Sequence, residues 1–203
     1  NRRVNTFAPS EYMKAVAKPC KAIPKTIKRV LTHALGDDTA VIEHFIYHSV
    51  LHPQIKEMPH HWKKMQVEGL LFKSCLNYSI LQPAAYFQNL LQYKKGIREQ
   101  NAYAVPYNGD TRIGMVDLRD VADVASRIVF DKRYYGGIFE LCSDGCFSQY
   151  KIVEMISKVS GIDIQFREIH RKEWEASMKS SGMPAYAISS LIRMFEYYEK
   201  FGF

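Results

Sequence analysis

Apolar and polar positions along the chain alternate between two periods. Phe45-Ile46-Tyr47 is a short apolar run ending in His48-Ser49, the pattern of a buried parallel strand opening into a polar loop. His52-Pro53 and Met58-Pro59 follow, and their prolines predict a non-helical loop. Trp62 to Lys73 then reads as a helix, with Met65, Leu70 and Phe72 among its packing residues. Tyr78 to Gln82 is the next predicted strand, stopped by Pro83, and Phe87 to Glu99 is predicted helical. Upstream, Thr26 to Ala40 places Ile27, Val30, Leu31 and Ala34 on one helical face.

The second half repeats the alternation. Asn108-Gly109-Asp110 marks a turn between two short strands, Ala102–Val105 and Arg112–Val116. Asp117 can cap a helix running to Phe130. Ile138 to Leu141 reads as a buried strand. Ser148 is a strong cap for a helix over Gln149–Val159, with Phe147 and Ile152 placed as a hydrophobic staple. A strand over Ile164–Ile169 and two helices, Lys172–Ser181 and Ala185–Phe201, complete the pattern. Strands alternating with helices imply an α/β fold with a largely parallel sheet.

Composition narrows this picture. A chain of 203 residues suffices for one packed core, and it contains no apolar run long enough for a transmembrane helix. The net charge of +7 is confined to residues 1–30, where eight Lys/Arg face Glu11 alone. The remainder holds 20 basic and 20 acidic residues and is neutral. Residues 1–25 therefore form a basic arm, either solvated or docked on an acidic protein, RNA or anionic lipid. Its poverty in acids resembles a mitochondrial transit peptide, although Pro9, Pro19 and Pro24 interrupt any long helix. Cys20, Cys75, Cys142 and Cys146 lack zinc-knuckle spacing and suggest free thiols in a reducing compartment, cytoplasmic or mitochondrial. His44, His48, His52, His60 and His61 are distributed over a strand, a loop and a helix start, with no H-x-x-x-H on one helical face, so no metal site is expected.

Candidate chemistry falls at two strand ends, since ligands in open α/β sheets collect beyond the carboxyl ends of the strands. These ends are His48-Ser49-Val50 and Gln82-Pro83-Ala84-Ala85-Tyr86, with Lys63 and Lys64 on the helix between them. An ammonium there either solvates an exposed helix face or reaches ribose hydroxyls above the sheet.

The segments EHFIYHSVLHPQ, HHWKKMQVEGLL, YSILQPAAYFQNLL, MVDLRDVADVASRIV and GIFELCSDGCFSQYKIVEMISKVSG, in that order and spacing, resemble NmrA-like proteins. These are atypical short-chain dehydrogenase/reductases. The resemblance spans about residues 26–203. It implies the C-terminal portion of a Rossmann-type NAD(P)-binding domain: a partial parallel sheet with helices on both faces. A small C-terminal α+β lobe is expected from residues 102–116 and 142–203. It also implies NADP or NAD as cofactor, with Ser49, Lys64, Gln82, Pro83, Ala84, Ala85, Tyr86 and Asn89 at the nicotinamide side. Lys64 and His60 become the catalytic candidates, His60 standing where related reductases place a tyrosine.

No G-x-G-x-x-G occurs in the chain, so the phosphate-binding turn is not among these residues. At best Val4–Phe7 represents the fourth strand of the family's fold. A parallel sheet cut at that point exposes an edge that a protein partner could cover. The expected function is then a reductase-type oxidoreductase or a dinucleotide redox sensor, completed by a glycine-rich segment. The alternative is a non-catalytic accessory subunit of a larger mitochondrial or ribonucleoprotein assembly. A dinucleotide-sensing transcriptional co-regulator is a third reading.

Overall fold

The computed structural model describes residues 42–203. The basic arm, the Val4–Phe7 strand and the Thr26–Ala40 helix lie outside the described residues. The first layer is a parallel sheet in the order β1–β2–β6, from Phe45–His48, Tyr78–Pro83 and Ile138–Leu141. β2 is central and buried on both faces. Ile80 packs with Leu71, while Leu81 on the other face packs with Leu51, Ala84 and Val121. Period-two alternation in a strand covered on both sides is what produces the continuous apolar run Ile80-Leu81.

Helix α1 (Pro59–Phe72) connects β1 to β2. It begins earlier than the proline pattern predicts, because Pro59 occupies the first helical turn, where its missing N–H costs nothing. Leu71 and Glu68 face inward, whereas Phe72 is exposed against Tyr78. After β2, strand β3 (Ala85–Tyr86) leads into a 3-10 helix, Phe87–Tyr93, and then α2 (Lys94–Gln100). The single predicted helix over this stretch is thus two shorter ones.

β4 (Ala102–Val105) and β5 (Arg112–Val116) flank the expected turn but do not pair with each other. β4 pairs in parallel with β8 (Gln165–Glu168), and β5 pairs with β3 in parallel and with β7 (Cys146–Ser148) antiparallel. The turn is present, Thr111 N–H donating to the Asn108 carbonyl at 3.1 Å, but strand partners are a long-range matter that turn chemistry does not decide. α3 (Leu118–Val129) carries the Asp117 cap, whose side chain accepts from Arg119 N–H. α4 (Gln149–Ser160) carries the Ser148 cap, accepting from Lys151 N–H. Each such cap stabilises by about 1 kcal/mol. α5 (Arg171–Ser180) and α6 (Ala185–Phe201) follow.

The larger core joins Tyr103, Val105, Met115, Ile152 and Phe195 to Met58 at the start of α1. Burial of side chains this size contributes roughly 1.5–3 kcal/mol each. Two further expectations are corrected. β6 is an edge strand among the described residues, with Ile138 47% exposed. Cys75, exposed in the loop after α1, is disulfide-bonded, so it is not one of four free thiols; spacing in sequence does not report which thiols meet in space. Cys142 and Cys146 are free. Among the described residues, no helix is long and apolar enough to cross a membrane.

Candidate functional site

A cavity of about 730 Å³ opens beyond the carboxyl ends of β1 and β2. Val50 and Pro83–Tyr86 line it on the sheet side, together with Asn89. Tyr103, Tyr107 and Met115 form part of its wall, and Trp174, Met178 and Phe195 come from α5 and α6. Buried Gln149 ties that wall together, accepting from the Tyr103 hydroxyl (3.1 Å) and donating to the Thr111 carbonyl (2.9 Å). Among the described residues, Glu173 is the one carboxylate in the lining.

His60 and His61 stand at the first turn of α1, their rings 4.4 Å apart, and both line the cavity. Met58 is buried just before the turn and pins it. Burial pushes the His60 imidazole below its ordinary range. Burial, followed by the nearby His60, pushes His61 down to about 4. Both rings are therefore neutral at physiological pH. His61 Nδ1 is 3.3 Å from the His52 carbonyl, and its ring meets Phe203 edge-on.

At the mouth, the Tyr86 hydroxyl is 2.7 Å from His48 Nε2. The His48 carbonyl accepts from Lys64 Nζ at 2.8 Å. One of three ammonium donors is thereby used and two remain. Lys64 is half-buried, which lowers its affinity for a proton, while Glu68 one turn on opposes that shift. The Tyr47 phenol, pushed up to about 12 by burial and then by Glu68, does not ionise near neutrality.

Ser49 and Gln82 end elsewhere. Ser49 Oγ donates to Glu68 Oε1, and Gln82 Nε2 donates to both Glu68 oxygens at 3.0 Å. All three side chains are buried between the sheet and α1. Of the expected residues, His60, Pro83, Ala84, Ala85, Tyr86 and Asn89 line the cavity, Lys64 lies outside the lining on the His48 carbonyl, and Ser49 and Gln82 bond to Glu68. Sequence reasoning missed Glu68 and the role of His48. The one available signal was helical spacing, since Glu68 lies seven residues after His61 and three before Leu71 on the buried face of α1. Among the described residues, no group of three or more His, Cys, Asp or Glu is placed to hold a metal ion.

Comparison with known proteins adds a family. The NmrA-like family model matches residues 30–203. Quinone oxidoreductase 2 of Escherichia coli (strain K12) is 23% identical over 145 residues, 71% of this chain and 50% of that protein. The NAD(P)H azoreductase of Xenophilus azovorans is 24% identical over 55% of this chain and 39% of its own length. The Photosystem II assembly factor Ycf39 of Cyanophora paradoxa is 28% identical over 64% of this chain and 43% of its length. The chain thus spans about half the length, or less, of these curated relatives. Among solved structures, the E. coli NADPH-dependent quinone oxidoreductase complexed with NADPH superposes with a TM-score of 0.67 at 21% identity, over 78% of this chain and 56% of that one. The Citrobacter sp. triphenylmethane reductase complexed with NADP(H) gives 0.68 at 15% identity, over 86% and 59%. At these identities the likeness establishes a Rossmann-like fold.

Proposed function

The chain belongs to the NmrA-like family, and from that premise we propose that it forms the acceptor side of an NAD(P)H-dependent reductase for flat, uncharged aromatic compounds. The cavity beyond β1 and β2 carries this reading. Small-ligand sites of roughly 300–1,000 Å³ with apolar walls and a few polar groups bind planar organic molecules. Neutral histidines and a single carboxylate disfavour a charged acceptor, because ionised groups gain little there against the loss of hydration. The names of the quinone oxidoreductase and azoreductase relatives are in keeping with an aromatic acceptor.

The residues present fit the nicotinamide end of a dinucleotide. Pro83, Ala84 and Ala85 give a small-residue wall, Asn89 an amide, and Lys64 two free donors for ribose hydroxyls. When bound, NAD(P)H supplies a hydride. The chain's own task is to orient the acceptor and deliver a proton. Tyr86, whose hydroxyl is 2.7 Å from His48 Nε2, and His60 with its neutral ring line the cavity and are the candidate proton donors. Contacts to the pyrophosphate are not assigned to the described residues.

The test is calorimetric titration of the full-length protein, glycine-rich segment included, with NADPH and NADH, then NADPH oxidation with a naphthoquinone and an azo dye as acceptors. Saturable binding and acceptor-dependent oxidation are expected. Absence of both sinks the reading.

A second reading, a non-catalytic accessory subunit, draws on β1, which has no strand on its outer edge among the described residues. The resemblance to an assembly factor favours it as well. In that case a partner strand covers β1, and the basic arm touches an acidic protein or RNA. Elution of the native protein as a monomer free of partners counts against it.

A further inference from the structure

We propose that Cys142 and Cys146 form a dithiol modification site, closing to an intramolecular disulfide by exchange with a small oxidised disulfide such as oxidised glutathione. The two thiols flank the turn Ser143-Asp144-Gly145, in which Gly145 takes φ +84°. Cys146 opens β7 directly opposite Gly114 of β5. Residues opposed in an antiparallel pair project to one face, with Cβ positions about 4.5–5.5 Å apart. On that face Gly114 has no side chain. A Cβ built there would stand 2.9 Å from Cys142 Sγ and 3.3 Å from the Phe203 backbone oxygen. That same oxygen accepts from Cys146 Sγ at 3.5 Å. The Cys142 sulfur therefore lies over the bare backbone of Gly114, and Cys146, the cross-strand partner of that glycine, holds its sulfur on the Phe203 oxygen at the same place. Both residues are free and exposed, hence within reach of a small reagent.

Burial, and next the neighbouring Cys146, raises the Cys142 thiol, which fits Cys142 as the second thiol to react. The Cys146 thiolate attacks one glutathione sulfur, forming a mixed disulfide and releasing one glutathione thiolate. Cys142, giving its proton to solvent, attacks Cys146 Sγ and expels the second glutathione. Two protein thiols lose two electrons and one external disulfide gains them, so the exchange balances. The pair also borders the cavity, since Phe203 and Met115 touch both.

Tryptic cleavage after Arg133 and Lys151 leaves both cysteines on one peptide, residues 134–151. The intact chain is equilibrated in glutathione buffers of graded oxidation, alkylated, digested and weighed. The expected result is a peptide lighter by two hydrogens and closed to alkylation, appearing in one two-electron transition. Cys142→Ser and Cys146→Ser each abolish that form. Gly114→Ala, whose methyl displaces the Cys142 sulfur, requires a glutathione ratio about tenfold more oxidising. Stable glutathione adducts on both cysteines, or a peptide that stays reduced throughout, overturns the proposal. An unchanged midpoint in Gly114→Ala overturns the convergence on which it stands.

Discussion

Ser49 and Gln82 leave the ends of β1 and β2 toward α1, while Val50 and Pro83–Tyr86 leave the same ends toward the cavity. On the first side the polar groups satisfy one another: a buried carboxylate takes a hydroxyl and a chelating amide. On the second side the lining is mostly apolar and aromatic, with polar groups at the mouth and on the first turn of α1. The difference teaches that position at a strand end does not by itself make a ligand contact. A side chain whose hydrogen-bonding capacity is already filled inside the fold holds the scaffold, and the binding surface is left to its neighbours.

The sharpest way to break this division is Glu68→Ala, which leaves the Ser49 hydroxyl and the Gln82 amide buried without a partner. A loss of about 3 kcal/mol in urea denaturation is expected. Glu68→Gln, which keeps an acceptor, costs about half as much or less. A cost below about 1 kcal/mol for the alanine variant means that the network is open to water.

The second test uses pH. The His61 imidazole binds its proton less readily in the folded chain than in the unfolded one. The unfolded chain is therefore protonated first as pH falls. Stability from this group is complete above about 6.5 and is lost as pH drops toward about 4, by roughly 2–3 kcal/mol. Urea midpoints measured across that window should fall accordingly, and His61→Gln should flatten the slope.

The cavity side is tested through activity. Tyr86→Phe removes a donor that faces the cavity, so acceptor reduction should fall by about 10²-fold. Its stability should change by less than about 1 kcal/mol. The reverse outcome, stability lost and turnover kept, assigns Tyr86 to the scaffold. Last, Lys64→Ala should weaken NADPH affinity by about tenfold in calorimetry, roughly the contribution of one hydrogen bond from a charged donor. Unchanged affinity removes Lys64 from the site.

Much of the local structure was legible in the chain. The run Phe45-Ile46-Tyr47, the apolar Ile80-Leu81 pair and the Asp117 and Ser148 caps appear where their patterns place them. The site was legible only as a neighbourhood. β1, β2 and α1 were the right elements, yet the chosen residues divide between the cavity and the Glu68 network. A buried glutamate carries no sequence mark that separates it from a solvated one, because its partners arrive from two other elements. The pairings of β4 with β8 and of β5 with β7 were likewise invisible, since both join segments far apart in the chain.

By itself, then, the sequence determined the elements, their caps, the alternation that implies a parallel sheet and the order of segments that marks the family. These follow from local sterics, side-chain period and short-range hydrogen bonds, all of which act within a few residues. Only the tertiary structure decided which face of each strand end meets α1 and which meets the cavity. It also decided that Gly114 lies under the Cys142 sulfur and opposite Cys146, and that Phe203 lines the cavity beside them. Side-chain alternation supplies two faces to every strand, and packing of distant segments alone selects what each face will touch.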